Sequence, residues 1–356
     1  MKSLKLILAV LVVLSSCQNE NVKLPIYKTI DNPTDESIYP TNTWTYTSPE
    51  NFGYSLDQLK DVETAFKNMG GDAMFVIKNG YVIISWGDVS KPIQNRSIRK
   101  SYLNSLFGIE YDKGEISLDM TLMNLDIDDV QKLTEPEKQA TVYSLLTSSS
   151  GVYHPAAYES KEDAEGRPPR GSFKTGEFFY YNNWDFNTLG HIYTKVTDKD
   201  IFESLKESIA NKIGMEDFKI ENTTYEYEKT KSIYPAYRMQ TSARDDARFG
   251  YLYLLKGKWE NQQLISETWI SKSFEKHVVT GEYYYYDYGF LWWIDTVNGM
   301  YIARGNSGQY IAIYPKENMV FVFRADPGSI FKKWLGSRVK PQESFPLINM
   351  ILSTRK

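Results

Sequence analysis

One cysteine stands in a chain of 356 residues, at position 17. No disulfide can close within the chain, so covalent stapling plays no part in its fold. Histidine is nearly as scarce. His154, His191 and His277 are scattered, with no H-E-x-x-H and no clustered ligands, so the usual pattern of metal-assisted hydrolysis is missing. A G-x-S-x-G elbow is missing too, which counts against a Ser-His-Asp hydrolase. Neither sign of charge dominates: Lys and Arg total 41 and Asp and Glu 45, for a net −4. That leaves no basic face for nucleic acid. No period of twenty to fifty residues repeats, so a solenoid or propeller is not supported. Beyond the first seventeen residues, no apolar run is long enough to span a bilayer.

What is present suits a large folded core. The chain is 42% hydrophobic and 24% charged, enough for one large domain or two smaller ones. Its start, MKSLKLILAVLVVLSSC, has Lys2 and Lys5, then an apolar run from Leu6 to Leu14, then small residues. This reads as a secretory signal over 1–16. Leu14-Ser15-Ser16-Cys17 looks like a bacterial lipobox, which makes Cys17 a lipid attachment point. The expectation is a lipoprotein of the bacterial cell envelope, periplasmic or surface-facing. Gln18 in place of aspartate favours the outer membrane. Residues 17–45 read as a polar linker.

The remainder, 46–356, reads as one domain. SLDQLKDVETAFKNMG has helical periodicity between Ser55 as N-cap and Gly70 as stop. Two β-rich runs then flank Asn79-Gly80, the strongest short hairpin signal. Near the C-terminus, further strand runs break at Asn298-Gly299 and at Pro315–Asn318. A lone hairpin is marginal in water. The two β-rich ends, 46–90 and 285–356, are therefore expected to join in one antiparallel sheet. Helices would flank it, with a mostly helical lobe over 91–284: an α/β (α+β) fold with a cleft between sheet and lobe.

Ser97-Ile98-Arg99-Lys100 has the form S-x-x-K. On a helix, positions i and i+3 are neighbours, so the lysine can reach the serine hydroxyl, which needs a base to become a nucleophile. The lysine must be neutral for that, against an ordinary value near 10.4. Burial or nearby positive charge has to supply the shift. Taken alone, the pattern fits a solvent-facing Ser and Lys better than a catalytic pair.

Its context resembles the serine β-lactamase and penicillin-binding-protein superfamily, in particular the class C-like serine hydrolases that include esterases and amide hydrolases. SIRKSYLNSLFGIEYDKGEISLDM carries S-x-x-K-S and a following turn with Gly114, Ile116, Leu118 and Asp119. TVYSLLTSSSGV resembles that branch's Leu-Leu-Thr-x-x-Ser-Gly turn. The Tyr-x-Asn motif has two frames in FFYYNNWDFNTLG: Tyr180 with Asn182, or Tyr181 with Asn183. Spacing to Leu189-Gly190 favours the second. The resemblance implies that Tyr181 shares proton shuttling with Lys100, and that Asn183 donates a hydrogen bond to the substrate or to Lys100.

The third motif of the family is Lys-Thr-Gly or a variant on a strand. Lys174-Thr175-Gly176 is a literal match but precedes Tyr-x-Asn and lies in a Pro- and Gly-rich loop, so it is read as a decoy. In RGNSGQYIAIYP, Asn306, Ser307 and Gly308 hold the family position, and Gln309–Tyr314 reads as an edge strand. By resemblance, the Gln309 and Ser97 amides form the oxyanion hole. Asn306 replaces the Lys or His of penicillin-recognising enzymes, which points away from β-lactams and toward an uncharged ester or amide; Arg304 is the candidate to compensate. His154 is a candidate for a substrate contact, and Arg244, Asp245 and Arg248 are expected to pair structurally. The aromatic run Tyr283–Tyr286, Tyr288, Trp292 and Trp293 is read first as strand core and second as a sugar-stacking surface.

The expectation is a lipid-anchored serine hydrolase acting through a Ser97 acyl-enzyme on a small-molecule, peptide-linked or glycan-linked ester or amide. No cofactor or metal is implied. The alternatives are a D-amino-acid peptidase or β-lactamase-type activity, and a non-catalytic tethered binder or sensor of the same fold.

Overall fold

The computed structural model describes residues 28–281, 286–326 and 346–356. The expected signal segment and Cys17 lie outside them, as do Tyr283–Tyr285.

Strands β1 (Lys28–Thr29), β2 (Thr45–Tyr46), β3 (Ala73–Lys78) and β4 (Tyr81–Gly87) come from the N-terminal part. Further on come β5 (Ile93–Gln94), β6 (Thr223–Glu226), β7 (Ala236–Thr241), β8 (Lys258–Trp259) and β9 (Gln262–Gln263). The C-terminal part supplies β10 (Asp287–Tyr288), β11 (Trp293–Asp295), β12 (Met300–Gly305), β13 (Gln309–Tyr314) and β14 (Met319–Arg324). The large sheet has the order β1-β2-β4-β3-β14-β13-β12-β11-β10. Its centre is the expected union. β3 pairs antiparallel with β14, Val76 opposite Phe321, across more than two hundred residues of chain. The β3–β4 turn takes Asn79 (φ 52°) and Gly80 (φ 84°) through the left-handed region, as an Asn-Gly hairpin requires.

The sheet is sandwiched. Helix α1 (Leu56–Asn68) buries Leu59, Val62 and Phe66 on one side, where the C-terminal helix Pro346–Ser353 packs beside it. Across the sheet lies a long helix, Ala243–Leu254, packed on β3, β13 and β14. Gly250 permits that contact: a Cβ there would come within 2.7 Å of Ile311 and Val320 side chains. Further from the sheet, α2 (Ile98–Asp112) runs through the interior, with α3 (Val142–Leu146), α4 (Lys161–Glu165) and α5 (Asn183–Thr197) around it. β5, β7 and β6 form a small sheet beside them.

Two expectations change. From residue 28 on, the segment read as linker is laid against the sheet edge: β1 and β2 extend it in parallel, Ile38 N–H bonds the Asn79 carbonyl at 3.0 Å, and Arg248 holds the Pro40 and Thr41 carbonyls. Polar composition hid this, because the contacts are made by backbone groups that every residue carries. Gln309–Tyr314 is not an edge strand either. β13 pairs with β12 on one side and β14 on the other. Among the described residues, no helix is long and apolar enough to cross a membrane.

Candidate active site

Ser97 ends a tight lead-in to α2. Ile98 N–H bonds the Asn95 carbonyl at 3.0 Å and Lys100 N–H bonds that of Ser97 at 3.0 Å, while Arg96 is held at φ 50°. The helix then buries almost every side, polar residues included. Lys100 is 1% exposed. Its Nζ lies 2.9 Å from Ser97 Oγ, 2.8 Å from Tyr181 Oη and 3.0 Å from Asn183 Oδ1. It also sits 4.2 Å from the centre of the Tyr181 ring and 4.3 Å from that of Phe186. Burial pushes the lysine well below its ordinary value, the Arg99 charge pushes the same way, and Asp163 opposes them.

The Tyr-x-Asn segment is fixed by the Thr147–Val152 turn. Ser148 Oγ donates to the Tyr180 carbonyl at 2.7 Å and accepts the Asn182 N–H at 2.9 Å. Asn182 Nδ2 bonds the Val152 carbonyl at 2.7 Å and Asp185 at 2.9 Å, and Ser150 Oγ meets the same carboxylate at 2.6 Å. This clamp delivers Tyr181, not Tyr180, to Lys100. The Tyr180 hydroxyl turns away to the Asp163 carbonyl. Burial raises Tyr181 above the ordinary tyrosine value, so it stays a phenol at neutral pH.

Asn183 departs from one of its two expected roles, donation to Lys100. Its Nδ2 is taken by Asp163 Oδ2 at 2.9 Å, and it presents Oδ1 to Lys100. A carboxylate can only accept, so Asp163 takes the NH2 side of the amide and its oxygen is left facing Lys100. It accepts from Lys100 where a donor was expected.

Tyr181 stacks on Trp293 at 5.3 Å between ring centres and meets Tyr288 edge-on at 6.2 Å. Trp292, Trp293 and Tyr288 are buried, the strand-core reading of that run, and the hydroxyl of Tyr288 is pushed up by burial. Arg304 faces the same wall, 5.7 Å from the Trp293 ring, and its charge acts on Tyr181.

Asn306 and Ser307 lie in the β12–β13 turn, Asn306 exposed and Ser307 at φ 66°; Gly308 follows at φ 79°. Gln309 begins β13 fully buried, its side chain bonded to the Ala325 carbonyl and to Arg324. Its cross-strand partner Gly305 abuts the lead-in to Ser97: a Cβ there would fall 2.6 Å from the Asn95 carbonyl and 3.0 Å from Arg96 Cβ. The turn thus reaches the Ser97 segment only because residue 305 has no side chain. Beneath it, Arg324 bonds Gln309, Thr241, Asp246 and the Ile93 carbonyl, and Tyr102 of α2 reaches Asp246 at 2.8 Å. This buried network joins the turn's base to the strand leading into Ser97.

Other candidates fall elsewhere. Lys174–Gly176 forms an exposed turn, Thr175 Oγ1 bonding the Ser150 carbonyl at 2.8 Å. His154 is buried, edge-on to Trp184 and 3.4 Å from Glu137. Arg244 and Arg248 pair with Glu216, and Asp245 accepts the Glu216 and Asp217 amides. Sequence reasoning missed Asp163 and Arg99. Arg99 occupies an unspecified position within S-x-x-K. Asp163 sits on a one-turn helix with a Ser160 capping box, a signal of helix start that says nothing of catalysis.

A family model described as Beta-lactamase matches residues 59–325. Among solved structures, a candidate 6-aminohexanoate-dimer hydrolase from Bacillus anthracis is 21% identical, covering 91% of this chain and 88% of its own, with a TM-score of 0.66. A penicillin-binding protein from Bacillus halodurans is 18% identical over 82% of this chain and 99% of its own, with a TM-score of 0.60. A family VIII carboxylesterase is 13% identical over 84% and 97%, also at 0.60. These are likenesses of fold. No curated protein matches the chain.

Proposed function

The chain belongs to the β-lactamase family, and from that membership we propose that it is a serine hydrolase cleaving an ester or amide through an acyl-enzyme on Ser97. One observation carries the reading: a buried lysine with its proton affinity lowered, within 3.0 Å of a serine hydroxyl, a tyrosine hydroxyl and an amide oxygen. A neutral amine has two N–H donors and one lone pair. Asn183 Oδ1 can only accept, so it takes one donor. The lone pair is then free for the Ser97 hydroxyl. Tyr181, held as a phenol, relays a proton but is no base, which leaves that role to Lys100.

Ser97 Oγ attacks the carbonyl as its proton passes to Lys100 Nζ. The Ser97 amide and an amide of the β12–β13 turn, Gln309 by resemblance, hold the oxyanion. Such donors contribute about 3–4 kcal/mol each in acyl transfer. Lys100 and Tyr181 return the proton to the leaving group, and water then releases the acyl group. The folds of an amide-hydrolase candidate and a carboxylesterase support ester or amide as the substrate bond. The lipid anchor on Cys17 and the envelope location are proposed from sequence alone; lipid labelling lost in Cys17→Ser tests them.

Intact-protein mass spectrometry after fluorophosphonate treatment tests the centre. One adduct on the wild type is expected, none on Ser97→Ala, and a slowed one on Lys100→Ala. An adduct that persists in Ser97→Ala, or none on the wild type, overturns the reading.

A further inference from the structure

Most arginines among the described residues sit on carboxylates. Those at 167, 170, 238, 244, 248, 324 and 355 each meet one. Arg96 and Arg99 meet none among the described residues, and they stand on either side of Ser97 and Ile98. Arg99 is buried, its Nη2 on Asn187 Oδ1 at 3.1 Å and its guanidinium 4.2 Å from the Tyr237 ring. Arg96 is only half-buried. Its Nη1 donates to the Tyr158 hydroxyl and its Nε is enclosed without a partner, while Nη2 makes no hydrogen bond among the described residues.

The surroundings do not neutralise it. Glu226 is held by Arg238, and Glu228 by Lys231 and the Tyr158 amide. Arg238 itself lies 4.5 Å from the centre of the Tyr158 ring, a second cation beside the same tyrosine. The stretch Asn95–Arg99 also concentrates unmet polar atoms: Asn95 Nδ2 and Oδ1, Arg96 Nε and Arg99 Nη1 are all buried without a hydrogen bond. Such groups are uncommon in native structures, and a cluster of them marks a place where stability has been given up. Arg96 adds backbone strain, a long side chain at φ 50° where glycine is at home.

We infer that Arg96 binds an anionic group of the substrate, a carboxylate, and thereby sets the substrate class of the Ser97 centre. The inference rests on the serine-hydrolase reading above and reverses the uncharged substrate that Asn306 suggested from sequence. One free guanidinium nitrogen and one uncompensated charge suit a monoanion. The cation stands on the nucleophile's own segment, away from the turn position where penicillin-recognising enzymes keep their lysine. A half-exposed site also makes the preference weaken with salt.

The test uses two fluorophosphonates of equal chain length, one ending in a carboxylate and one in its methyl ester. Labelling of Ser97 is followed by mass at low and at high salt. The wild type is expected to react about tenfold faster with the carboxylate probe at low salt, a difference of about 1.4 kcal/mol, and less so at high salt. In Arg96→Gln the ratio of the two rates falls to about one, and Arg96→Lys keeps part of it. Arg96→Gly, whose backbone suits φ 50°, supplies a folded variant with the same lost ratio should the glutamine form be unstable. A wild-type ratio of one or below, or a ratio unchanged in Arg96→Gln and Arg96→Gly, overturns the inference while leaving the hydrolase intact. No labelling by either probe overturns the hydrolase reading, and this one with it.

Discussion

Helices α1 and α2 are of similar length, yet their polar residues obey different rules. On α1 the pattern reports solvent. Leu59, Val62 and Phe66 are buried, while Asp57, Lys60 and Lys67 are exposed and pair only along the helix. On α2 the polar stripe faces inward too. Ser101 Oγ bonds the Leu291 carbonyl at 2.8 Å. Asn104 takes the Tyr253 hydroxyl at 2.6 Å and gives its amide to the Phe290 carbonyl at 3.0 Å. Lys100 meets Ser97, Tyr181 and Asn183. A polar side chain on a helix therefore has two homes, water or a partner brought from elsewhere in the chain. Only the second is organised enough for catalysis.

The sharpest break of this contrast compares two lysines. Lys100→Ala should slow fluorophosphonate labelling by at least about a thousandfold, in line with the loss of a nucleophile's base, while Lys60→Ala on α1 leaves the rate unchanged. Stability separates polar from apolar next. Asn104→Ala strands the Tyr253 hydroxyl and the Phe290 carbonyl, while the Trp269 indole N–H keeps the backbone carbonyl of residue 104. Urea unfolding should show a loss of about 3 kcal/mol, as large as the roughly 2–3 kcal/mol expected for Leu59→Ala in the α1 face. A much smaller loss for Asn104→Ala would mean that water satisfies this face after all.

The finest effect is on pH. The charged groups that act on the Lys100–Tyr181 pair are Arg99 on α2, Asp163 on α4 and Arg304 on β12. Asp163 favours the protonated lysine, so Asp163→Asn removes that support while keeping an oxygen for Asn183 Nδ2. Lys100 then loses its proton more readily, and the acid limb of the labelling rate moves to lower pH. Asp163→Ala also frees the Asn183 amide to turn and should lower the plateau as well. An unmoved limb in Asp163→Asn would leave that carboxylate a purely mechanical part.

Much of this was legible beforehand, for identifiable reasons. The Asn79-Gly80 turn demanded a hairpin, because only such residues enter the left-handed region cheaply. The hairpin's need for neighbours foretold its union with the C-terminal strands. S-x-x-K showed because three residues on a helix span one face. Asn183's partner was not legible: Asp163 lies twenty residues earlier, on a helix too short to announce itself. The β13 strand looked like an edge because its interior position depends on pairing with β14, which no local pattern encodes. The docking of residues 28–41 was hidden for the same reason.

The sequence alone determined the local geometry: where helices begin, which turns close, and that Ser97 and Lys100 share a face. Those outcomes depend on backbone sterics and on spacings of a few residues. Tertiary structure alone decided the chemistry. The proton affinity of Lys100 depends on exclusion of water and on charges from α2 and α4. The choice of Tyr181 over Tyr180 depends on the Ser148 clamp, and the uncompensated charge of Arg96 on carboxylates already held by other partners. Burial and charge act through space, and chain position carries no measure of that distance until the fold has closed.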